Sequence, residues 1–416
     1  HGVFYDMKEV LPGHYLSIQG KQIRDNIYWQ LQAKPHEDTY TDTVQIVAAL
    51  VEDSVERQMI SDVPICTFLS GGVDSSVVSA VCAAELKKQG KKLTTFSFDF
   101  IDNDKYFKAN SFQPSQDRPY VDKMVSFLDS DHHYLECDNK MQADLLYRSV
   151  DAHDLPCMAD IDSSLQYFCE EVSHSHKVVL TGECADEVFG GYPWFHREEM
   201  LNSGTFPWTP SLTPRKVLLK DDLVESLHMD EYVKMIYDRS VSEINVLPSE
   251  NEIETNRRRI GYLNIRFFMQ TLLNRMDRTS MFSGLEARVP FADRTLVDYV
   301  FNIPWEMKAK DGLVKNILRQ ASKGLLPDEI LFRRKSPYPK TYNPYYENLL
   351  AKRLKEVLSD SASPLHSLLD LKQVTQFLDN PKDYGAPWYG QLMAGPQMIA
   401  YLLQIEYFLR KYNVSI

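Results

Sequence analysis

The stretch Ser70-Gly71-Gly72-Val73-Asp74-Ser75 decides the fold, because an apolar run precedes it and a helical pattern follows it. The run at residues 65–69 predicts a buried strand, and residues 76 to about 89 predict a helix. A glycine turn between a strand and a helix directs backbone N–H groups and the positive end of the helix dipole towards an anion. The stretch therefore predicts a phosphate-binding loop.

The residue types in this loop indicate separate roles. Ser70 and Ser75 add hydroxyl donors, whereas the Asp74 carboxylate would repel phosphate and fits a Mg²⁺ ligand that bridges to a nucleotide. A tight turn with a capping residue is the alternative explanation. The P-loop of kinases and GTPases does not match, because no Lys follows Gly72. The loop resembles instead the pyrophosphatase-type SGGxDS loop of enzymes that cleave ATP between its α- and β-phosphates.

A second segment places three carboxylates directly after another candidate strand. Residues 177–180 predict a buried strand, and it runs into the sequence TGECADEVFGGY at residues 181–192. In an open α/β sheet, the carboxyl end of a strand is the ligand edge. A solvated acidic turn is the alternative, but it explains poorly why the acidic residues follow a strand and lie against Val188 and Phe189.

Together the two segments resemble the synthetase domain of the asparagine synthetase family, whose pattern is SGGxDS followed by GEGxDExFGGY. Cys184 and Ala185 are a mild departure from that pattern. SGLEARVPFAD at residues 283–293 resembles the family's LExRxPFxD segment, with Ala292 where a larger apolar residue is usual. DGLVKNILR at residues 311–319 resembles its GKxxLR helix. The four motifs occur in the family's order between about Thr41 and Pro344.

Strands that alternate with helices predict parallel crossovers and a doubly wound sheet. The resemblance implies the PP-loop ATPase fold of the adenine nucleotide alpha hydrolase type, with a largely helical C-terminal half packed on the sheet. The other predicted elements are an N-terminal hairpin, strands at 93–98 and 132–136, helices at 41–60, 117–128, 139–150 and 160–175, a loop at 101–116, and amphipathic segments around 256–278, 311–323 and 394–411.

The domain organisation follows from the resemblance. Residues 1–35 are expected to be a remnant of the segment that links an N-terminal glutaminase domain to the synthetase domain, which occupies residues 36–416. The family's glutaminase uses an N-terminal cysteine as its nucleophile, whereas this chain begins with His1. We therefore expect the glutamine-hydrolysing half to be cut away or not included in this chain.

The resemblance implies an ATP-dependent, AMP-forming ligase, asparagine synthase (glutamine-hydrolysing), that makes asparagine through a β-aspartyl-AMP intermediate. Its small-molecule substrates are aspartate, ATP and ammonia, the last supplied from glutamine by the glutaminase domain. Glu183 would help to form the adenylate and accept a proton from ammonia, and Lys315 would neutralise phosphate charge. A solvated helix lysine is the alternative for Lys315.

The expected cofactors are ATP and Mg²⁺, with Asp74 and Asp186 as the metal ligands. The residues expected to hold adenine and pyrophosphate come from the loops and strands above and are Phe68, Leu69, Ser70, Gly71, Gly72, Val73, Asp74, Ser75, Phe98, Thr181 and Gly182. The aromatic residues among them can equally be plain core residues.

Three charged residues in the third motif have two alternative roles. Glu286, Arg288 and Asp293 are expected to form a buried ion network that shapes the site, with direct binding of aspartate as the alternative. Arg333, Lys335 and the sequence SPYPK at residues 336–340 predict a late loop that closes over the nucleotide.

Composition excludes several classes of function. The net charge of −12 and the lack of a Lys/Arg run argue against nucleic acid as a partner. No apolar stretch approaches the length of a membrane span. The six cysteines lack metal-site spacing and predict reduced, mostly buried thiols in a cytoplasmic protein. The adjacent His132 and His133 face opposite ways on a strand and argue against zinc there. A homodimer is left open.

Two alternative functions are kept. A β-lactam synthetase-like or other carboxylate-adenylating ligase would share the fold, the loop and Lys315, but in β-lactam synthetases a tyrosine tends to replace the glutamate at the Glu183 position. A catalytically inactive paralogue that serves as a binding partner is disfavoured, because Asp74, Glu183, Asp186 and Lys315 are all present.

Overall fold

The phosphate-loop stretch joins a strand to a helix in the computed structural model, which describes residues 3–109, 113–379 and 395–415. The strands are β1 (His14–Gln19), β2 (Gln22–Ile27), β3 (Ile65–Phe68), β4 (Thr94–Phe100), β5 (Asp131–Cys137), β6 (Val178–Leu180) and β7 (Glu286–Arg288). β1 and β2 form the predicted antiparallel hairpin. The other five strands form one parallel sheet in the order β5-β4-β3-β6-β7. The predicted α/β fold is confirmed.

Helices cover both the connections between strands and most of the C-terminal half. Their bounds are α1 (Tyr40–Gln58), α2 (Val73–Lys88), α3 (Asn103–Tyr106), α4 (Arg118–Leu128), α5 (Asn139–His153), α6 (Ala159–Ser173), α7 (Ala185–Phe189), α8 (Glu198–Leu201), α9 (Thr213–Lys216), α10 (Asp221–Leu227), α11 (Met229–Ser242), α12 (Glu252–Leu263), α13 (Gln270–Phe282), α14 (Arg294–Phe301), α15 (Trp305–Lys308), α16 (Asn316–Ala321), α17 (Asp328–Leu331), α18 (Pro344–Ser359), α19 (Leu365–Leu368), α20 (Leu371–Asp379) and α21 (Gly395–Lys411).

The strand order fixes where a ligand can bind. From β3 the chain adds β4 and β5 on one side, and it then returns to add β6 and β7 on the other side of β3. The neighbours β3 and β6 therefore mark the point at which the strand order reverses, where open α/β sheets bind their ligands. Thr67 pairs with Leu180, the last residue of β6, so the loops after β3 and β6 begin at about the same height, whereas β4 continues beyond that level to Phe100.

Apolar side chains at helical spacing anchor the first helices to the sheet. In α1, Val47, Val51 and Val55 recur every four residues and are buried in the main core. Thr39 caps that helix by accepting a hydrogen bond from the backbone N–H of Asp42. The α2 helix begins at Val73, three residues earlier than predicted, because Gly72 already adopts the extended conformation of an N-cap. Asp74 therefore lies in the first turn of α2.

Two predictions about secondary structure need correction. The motif residues at 286–288 form β7, an edge strand that the sequence pattern did not predict, because it is only three residues long and two of them are charged. The segment at 311–323 is not one amphipathic helix. Only α16 and a 3₁₀ turn at Lys310–Gly312 are helical there, because Asp311, Gly312 and Lys315 all have left-handed backbone angles.

Other elements agree with the predicted pattern. The segment around 256–278 is α12 and α13, joined without a break by a π-helical turn at Asn264–Met269. The predicted helix at 394–411 is α21, except that residue 394 lies outside the described residues. Residues 110–112 of the predicted loop at 101–116 also lie outside them, and the loop contains the short helix α3.

The C-terminal helices pack on the sheet through α5 and α6. A second apolar core is shared by α5, α6, α18, α20 and α21, with Leu146, Leu350 and Leu403 at its centre. Buried hydrogen bonds cross the same interface; for example, Gln397 of α21 donates one of 2.9 Å from Nε2 to Oδ2 of Asp160 in α6. The helical half is therefore attached to the sheet by a shared core.

The buried carboxyl of Asp160 predicts a pH dependence of stability. Burial raises the pKa of Asp160 to about 6, and the Gln397 amide offsets this only in part. Because the folded protein then holds this proton more tightly than the unfolded chain, stability is expected to fall as the pH rises from about 4 to about 6. Asp160→Asn removes that titration. The change that it causes in the free energy of unfolding, relative to the wild type, should be more favourable at pH 7 than at pH 4 by roughly 3 kcal/mol.

Urea unfolding of the wild type and of Asp160→Asn at the two pH values measures this effect. Asp129→Asn, a change at the exposed end of α4, serves as the control because that carboxylate is 91% exposed. Equal pH dependence in the wild type and Asp160→Asn would contradict the assignment.

All six cysteines lie in the described part of the chain and are free thiols. Five are buried and Cys157 is partly buried, as predicted. Among the described helices, none is both long and apolar enough to cross a membrane.

Candidate active site

A cavity of about 340 Å³ opens at the sheet edge where β3, β4 and β6 end. Most of the predicted site residues line it, and they are Phe68, Leu69, Ser70, Gly72, Asp74, Ser75, Phe98, Thr181, Gly182, Glu183 and Asp186. Gly71 and Val73 do not line the cavity. Gly71 has a φ of 68° and packs against the backbone of Tyr120 and Val121, and the Val73 side chain lies in the core.

The two motif loops touch each other directly at Gly182. A Cβ atom at that position would lie 2.5 Å from the backbone nitrogen of Ser75, so only glycine allows this approach. Within the first loop, the Ser75 hydroxyl accepts a hydrogen bond from the Ser70 N–H at 3.1 Å and donates to the Gly72 carbonyl at 3.3 Å. The hydroxyl of Ser75 thus organises the loop itself.

One lysine lies between the two carboxylates that the sequence predicts as metal ligands. Lys315 Nζ is 2.5 Å from Asp74 Oδ2 and 2.5 Å from Asp186 Oδ1. The two oxygens are therefore separated by no more than twice that distance, although they come from different strand ends. Lys335, from the late loop, forms an ion pair with the other oxygen of Asp186. The arrangement balances two carboxylates with two ammonium groups.

The electrostatics of this cluster follow from burial and pairing. Burial raises the pKa of Asp74, and Lys315 offsets part of that effect. Burial also opposes ionisation of Asp186, but Lys315 and Lys335 together outweigh it and hold the pKa of Asp186 below its usual range. Burial acts against the charge on Lys315, yet Asp186 and Asp74 raise its pKa overall. Pairing with the two lysines thus favours the charged form of Asp186, and pairing with the two carboxylates favours the charged form of Lys315.

An unusual backbone conformation aims Lys315 at the carboxylates. Lys315 has a φ of 56°, in the left-handed region that side chains other than glycine rarely adopt, and it is the N-cap of α16. Arg319 holds this turn in place, because its Nε donates a hydrogen bond of 2.7 Å to the Val314 carbonyl. Its other nitrogens donate to the carbonyls of Leu331 and Arg333. Arg319 thereby ties the Lys315 turn to the start of the late loop.

Glu183 is paired with an arginine that the sequence analysis did not identify. Arg275 Nη2 donates a hydrogen bond of 2.5 Å to Glu183 Oε1, and the two side chains are only 8% and 18% exposed. Burial raises the pKa of Glu183, and Arg275 offsets this in part. Arg275 lies on α13 outside every motif, so the sequence carried no local signal for it.

The predicted adenine-binding residues form an aromatic cluster. The Phe98 ring lies 4.4 Å from that of Phe168 and 5.3 Å from that of Tyr338, and Phe68 lies 4.5 Å from Phe168, measured between ring centroids. Tyr338 belongs to the late loop and was not assigned a contact from sequence. The loop residue thus lies directly on the sheet-end aromatics.

The late loop is tied to the phosphate loop by Arg333. Its Nη1 donates a hydrogen bond of 3.0 Å to the Ser70 carbonyl, and its Nη2 pairs with Asp117. The guanidinium also lies 4.0 Å from the centroid of the Tyr120 ring. Lys335 contacts the Tyr192 ring as well, at 4.6 Å from its centroid. The late loop therefore lies over the cavity.

The third motif lies outside the cavity. Arg288 pairs with Glu286 at 2.8 Å and donates hydrogen bonds of 2.6 Å to the carbonyls of Gln58 and Ile60. Asp293 instead caps α14 and pairs with Arg57 at 2.9 Å. The three charged groups therefore belong to two separate sets of contacts, which connect the end of α1 to β7 and α14.

Gly191 provides a steric test of the carboxylate cluster. A Cβ atom there would overlap Asp186 Oδ1 and lie 2.5 Å from Lys315 Cε. Gly191→Ala is expected to displace both side chains and to weaken ATP binding about tenfold or more, since misplaced groups in a preorganised site lose much of their effect. Isothermal titration with ATP and Mg²⁺ measures the change.

Gly261→Ala in α12 is the matched control, because a Cβ atom there meets only the Phe301 ring at an ordinary 3.7 Å. Unchanged ATP affinity in Gly191→Ala would show that the positions of Asp186 and Lys315 do not matter for nucleotide binding.

Comparisons with known proteins identify relatives of this chain. The sequence profile of the family described as asparagine synthase matches residues 47–410. The chain is 46% identical over its full length to asparagine synthetase [glutamine-hydrolyzing] 3 of Bacillus subtilis and spans 68% of that protein. It is 25% identical to asparagine synthetase [glutamine-hydrolyzing] 1 of the same organism, over 85% of this chain and 59% of that protein.

Another relative has a different description. The chain is 27% identical to the amidase chyE of Penicillium rubens, over 80% of this chain and 58% of that protein. The chain thus spans between 58% and 68% of the length of these relatives. The match to the profile and the full-length identity confirm the resemblance predicted from the motifs. The chain belongs to the asparagine synthase family of ATP-dependent amide ligases.

Proposed function

We propose that this chain joins ammonia to the β-carboxylate of aspartate through a β-aspartyl-AMP intermediate. The observation that carries the proposal is the convergence of Asp74 and Asp186, from two neighbouring strand ends, on the buried Lys315, beside a cavity that both carboxylates and Glu183 line. A phosphate loop and an acidic loop at one sheet edge are suited to hold a triphosphate and its counter-ion.

The chemistry explains why these groups are needed. Oxide is a poor leaving group, so a carboxylate must be activated before ammonia can replace one of its oxygens. In adenylation, a β-carboxylate oxygen bonds to the α-phosphorus of ATP as the bond to pyrophosphate breaks. Ammonia then bonds to the carboxyl carbon, and AMP leaves with the former carboxylate oxygen. Lys315, which pairs with Asp74, would neutralise phosphate charge in both steps.

The carboxylate cluster fits a divalent metal ion. Asp74 Oδ1 is buried without a hydrogen-bond partner, which leaves a hard oxygen donor in the cluster. Carboxylate oxygens are the ligands that Mg²⁺ prefers, and Asp74 and Asp186 would hold it. When bound there, the ion supplies charge neutralisation for the departing pyrophosphate. Lys315 and Lys335 would then be free to contact phosphate oxygens.

Glu183 is the proposed acceptor of the ammonia proton. Its Oε2 atom is buried and has no hydrogen-bond partner, while Oε1 is held by Arg275. One oxygen is therefore fixed and the other is free to accept a proton. A positioned general base contributes typically ~10²–10⁴-fold to a rate.

The remaining predictions concern the ligands, the partner domain, the location and the oligomeric state of the protein. We propose ATP and Mg²⁺ as ligands, a glutaminase domain as the source of ammonia from glutamine, and the cytoplasm as the location, which the free buried thiols support. A homodimer stays a prediction. The division at residues 35 and 36 also stays a prediction, although the family profile begins close by at residue 47.

Product identification tests the proposed function. The chain is incubated with ATP, Mg²⁺, aspartate and ammonium, and the products are identified by mass spectrometry. We expect asparagine, AMP and pyrophosphate in equal amounts. Reactions without aspartate or without ammonium are the controls. ADP with phosphate, or an amide of another acid only, would contradict the proposal, and the absence of any nucleotide turnover would favour a catalytically inactive binding protein.

A further inference from the structure

Arg275 has hydrogen-bonding capacity beyond its contact with Glu183. Its Nη2 atom is bound to Glu183, but its Nε atom is buried and has no hydrogen-bond partner. The side chain is only 8% exposed, and it lines the cavity. A buried N–H group without an acceptor costs free energy, so its presence in a cavity wall points to an acceptor supplied by a ligand.

The other cations that line the described part of the cavity are paired with groups other than Glu183. Lys335 is paired with Asp186, and Arg333 with Asp117 and the Ser70 carbonyl. Arg118 lies 3.9 Å from Glu136 and over the Tyr134 ring. Both of these partners are on β5, which lies on the other side of β3 from β6. Arg275 is thus the cavity-lining cation that is in contact with Glu183.

Aspartate, the substrate in the proposed function, brings a negative charge that needs a cationic partner. Aspartate has two carboxylates, of which only the β-carboxylate reacts, so its α-carboxylate must enter the cavity as an anion. An unpaired anion in an apolar cavity is costly. The guanidinium of arginine is a planar fork that can bind two carboxylates on different edges, which the compact ammonium of lysine does not do with the same geometry.

The surrounding charges keep Arg275 in its ionised, oriented state. Burial acts against its charge, but Glu183 and Asp162 outweigh that effect and raise its pKa. Asp162 is itself only 1% exposed, and its Oδ2 atom accepts a hydrogen bond of 2.6 Å from the Met158 N–H. Glu183 of the acidic loop is thus in direct contact with the guanidinium, and Asp162 on α6 adds negative charge that favours its ionised form.

We propose that Arg275 binds the α-carboxylate of the acceptor and so determines its specificity for a dicarboxylic amino acid. This inference rests on the proposed function. Arg275 would bind the α-carboxylate of aspartate through N–H groups that do not contact Glu183. The β-carboxylate is thereby directed away from Arg275 towards the phosphate loop. The residue is a specificity determinant, while Glu183 keeps its role as the base.

Acceptor-dependent ATP–pyrophosphate exchange separates this role from a purely structural one. The assay compares aspartate with β-alanine, which is aspartate without its α-carboxylate. We expect the wild type to prefer aspartate by about 100-fold or more in kcat/KM, because a charged hydrogen-bonded contact is lost with β-alanine. Arg275→Gln should reduce this ratio to within a few-fold of one, chiefly through the KM for aspartate, while the Kd for ATP stays close to the wild-type value.

The controls address folding and general loss of activity. Arg278→Gln is the matched control, since Arg278 lies one turn along the same helix, is 48% exposed and contacts His153 and Asp154 outside the cavity. It should retain the wild-type ratio. Arg275→Lys keeps the charge but not the fork, and it should give an intermediate ratio, so it tests the proposal even if Arg275→Gln does not fold.

The outcomes distinguish this inference from the proposed function. Equal losses with both acceptors in the Arg275 variants, at an unchanged ratio, would mean that Arg275 only holds Glu183 and would overturn the inference alone. A wild type that does not discriminate between aspartate and β-alanine would also overturn it alone. A wild type without any aspartate-dependent exchange would overturn the proposed function, and the assignment of Arg275 with it.

Discussion

Replacing Asp74 with asparagine is expected to abolish aspartate-dependent release of pyrophosphate in the presence of ATP and Mg²⁺. Asparagine keeps the shape of the side chain but removes the negative charge that pairs with Lys315 at 2.5 Å and that would hold the metal ion. Loss of a preorganised electrostatic group at the reacting phosphate costs about 10²–10³-fold or more. The release of pyrophosphate is followed with a coupled enzyme assay under saturating aspartate.

The control for this variant separates metal binding from folding. Asp129→Asn changes an exposed carboxylate at the end of α4 that does not line the cavity, and it should leave the rate unchanged. Thermal unfolding should show that Asp74→Asn remains folded, and added Mn²⁺, which tolerates varied ligands better than Mg²⁺, should restore part of the activity. Full activity of Asp74→Asn with Mg²⁺ would refute the metal role of Asp74.

Replacing Glu183 with glutamine is expected to abolish asparagine formation, with a loss of ~10²–10⁴-fold. Glutamine can still accept a hydrogen bond from Arg275, so the geometry of the pair is kept, but the amide cannot accept the proton of the attacking ammonia. Asparagine is measured by mass spectrometry. ATP–pyrophosphate exchange, measured in parallel, reports how far Glu183 also contributes to forming the adenylate.

The exposed Glu329, which pairs with Lys123 at the surface, provides the matched Glu→Gln control. Glu329→Gln should form asparagine at the wild-type rate. If Glu183→Gln also kept that rate, Glu183 would have no part in proton transfer, and its buried pair with Arg275 would be structural only.

The parts of the fold that were predictable carry their signal in consecutive residues. The phosphate loop follows four residues of buried strand, and the acidic loop follows three, so an apolar run next to glycines was sufficient to locate both. Because β3 and β6 are neighbours in a parallel sheet, their following loops had to lie together. Asp74 and Asp186 accordingly meet at one lysine, which is the juxtaposition that the motifs predict.

The parts that were missed depend on contacts between distant segments. Arg275 lies 92 residues after Glu183, and nothing near it in the sequence marks it as part of a site. Lys335 was expected to close over the nucleotide, but its pairing with Asp186 depends on the path of the whole late loop. The strand β7 is short and charged, and the turn at Lys315 is left-handed without glycine, so neither shows the periodicity on which sequence prediction relies.

The proposed function requires that the substrate carboxylate be activated at the α-phosphorus of ATP. The most direct measurement uses aspartate labelled with ¹⁸O in its β-carboxylate, with ATP, Mg²⁺ and ammonium, and follows the label by mass spectrometry. We expect one ¹⁸O atom in AMP and none in pyrophosphate. Label in inorganic phosphate, accompanied by ADP, would contradict it, because the carboxylate would then have been activated at the terminal phosphorus.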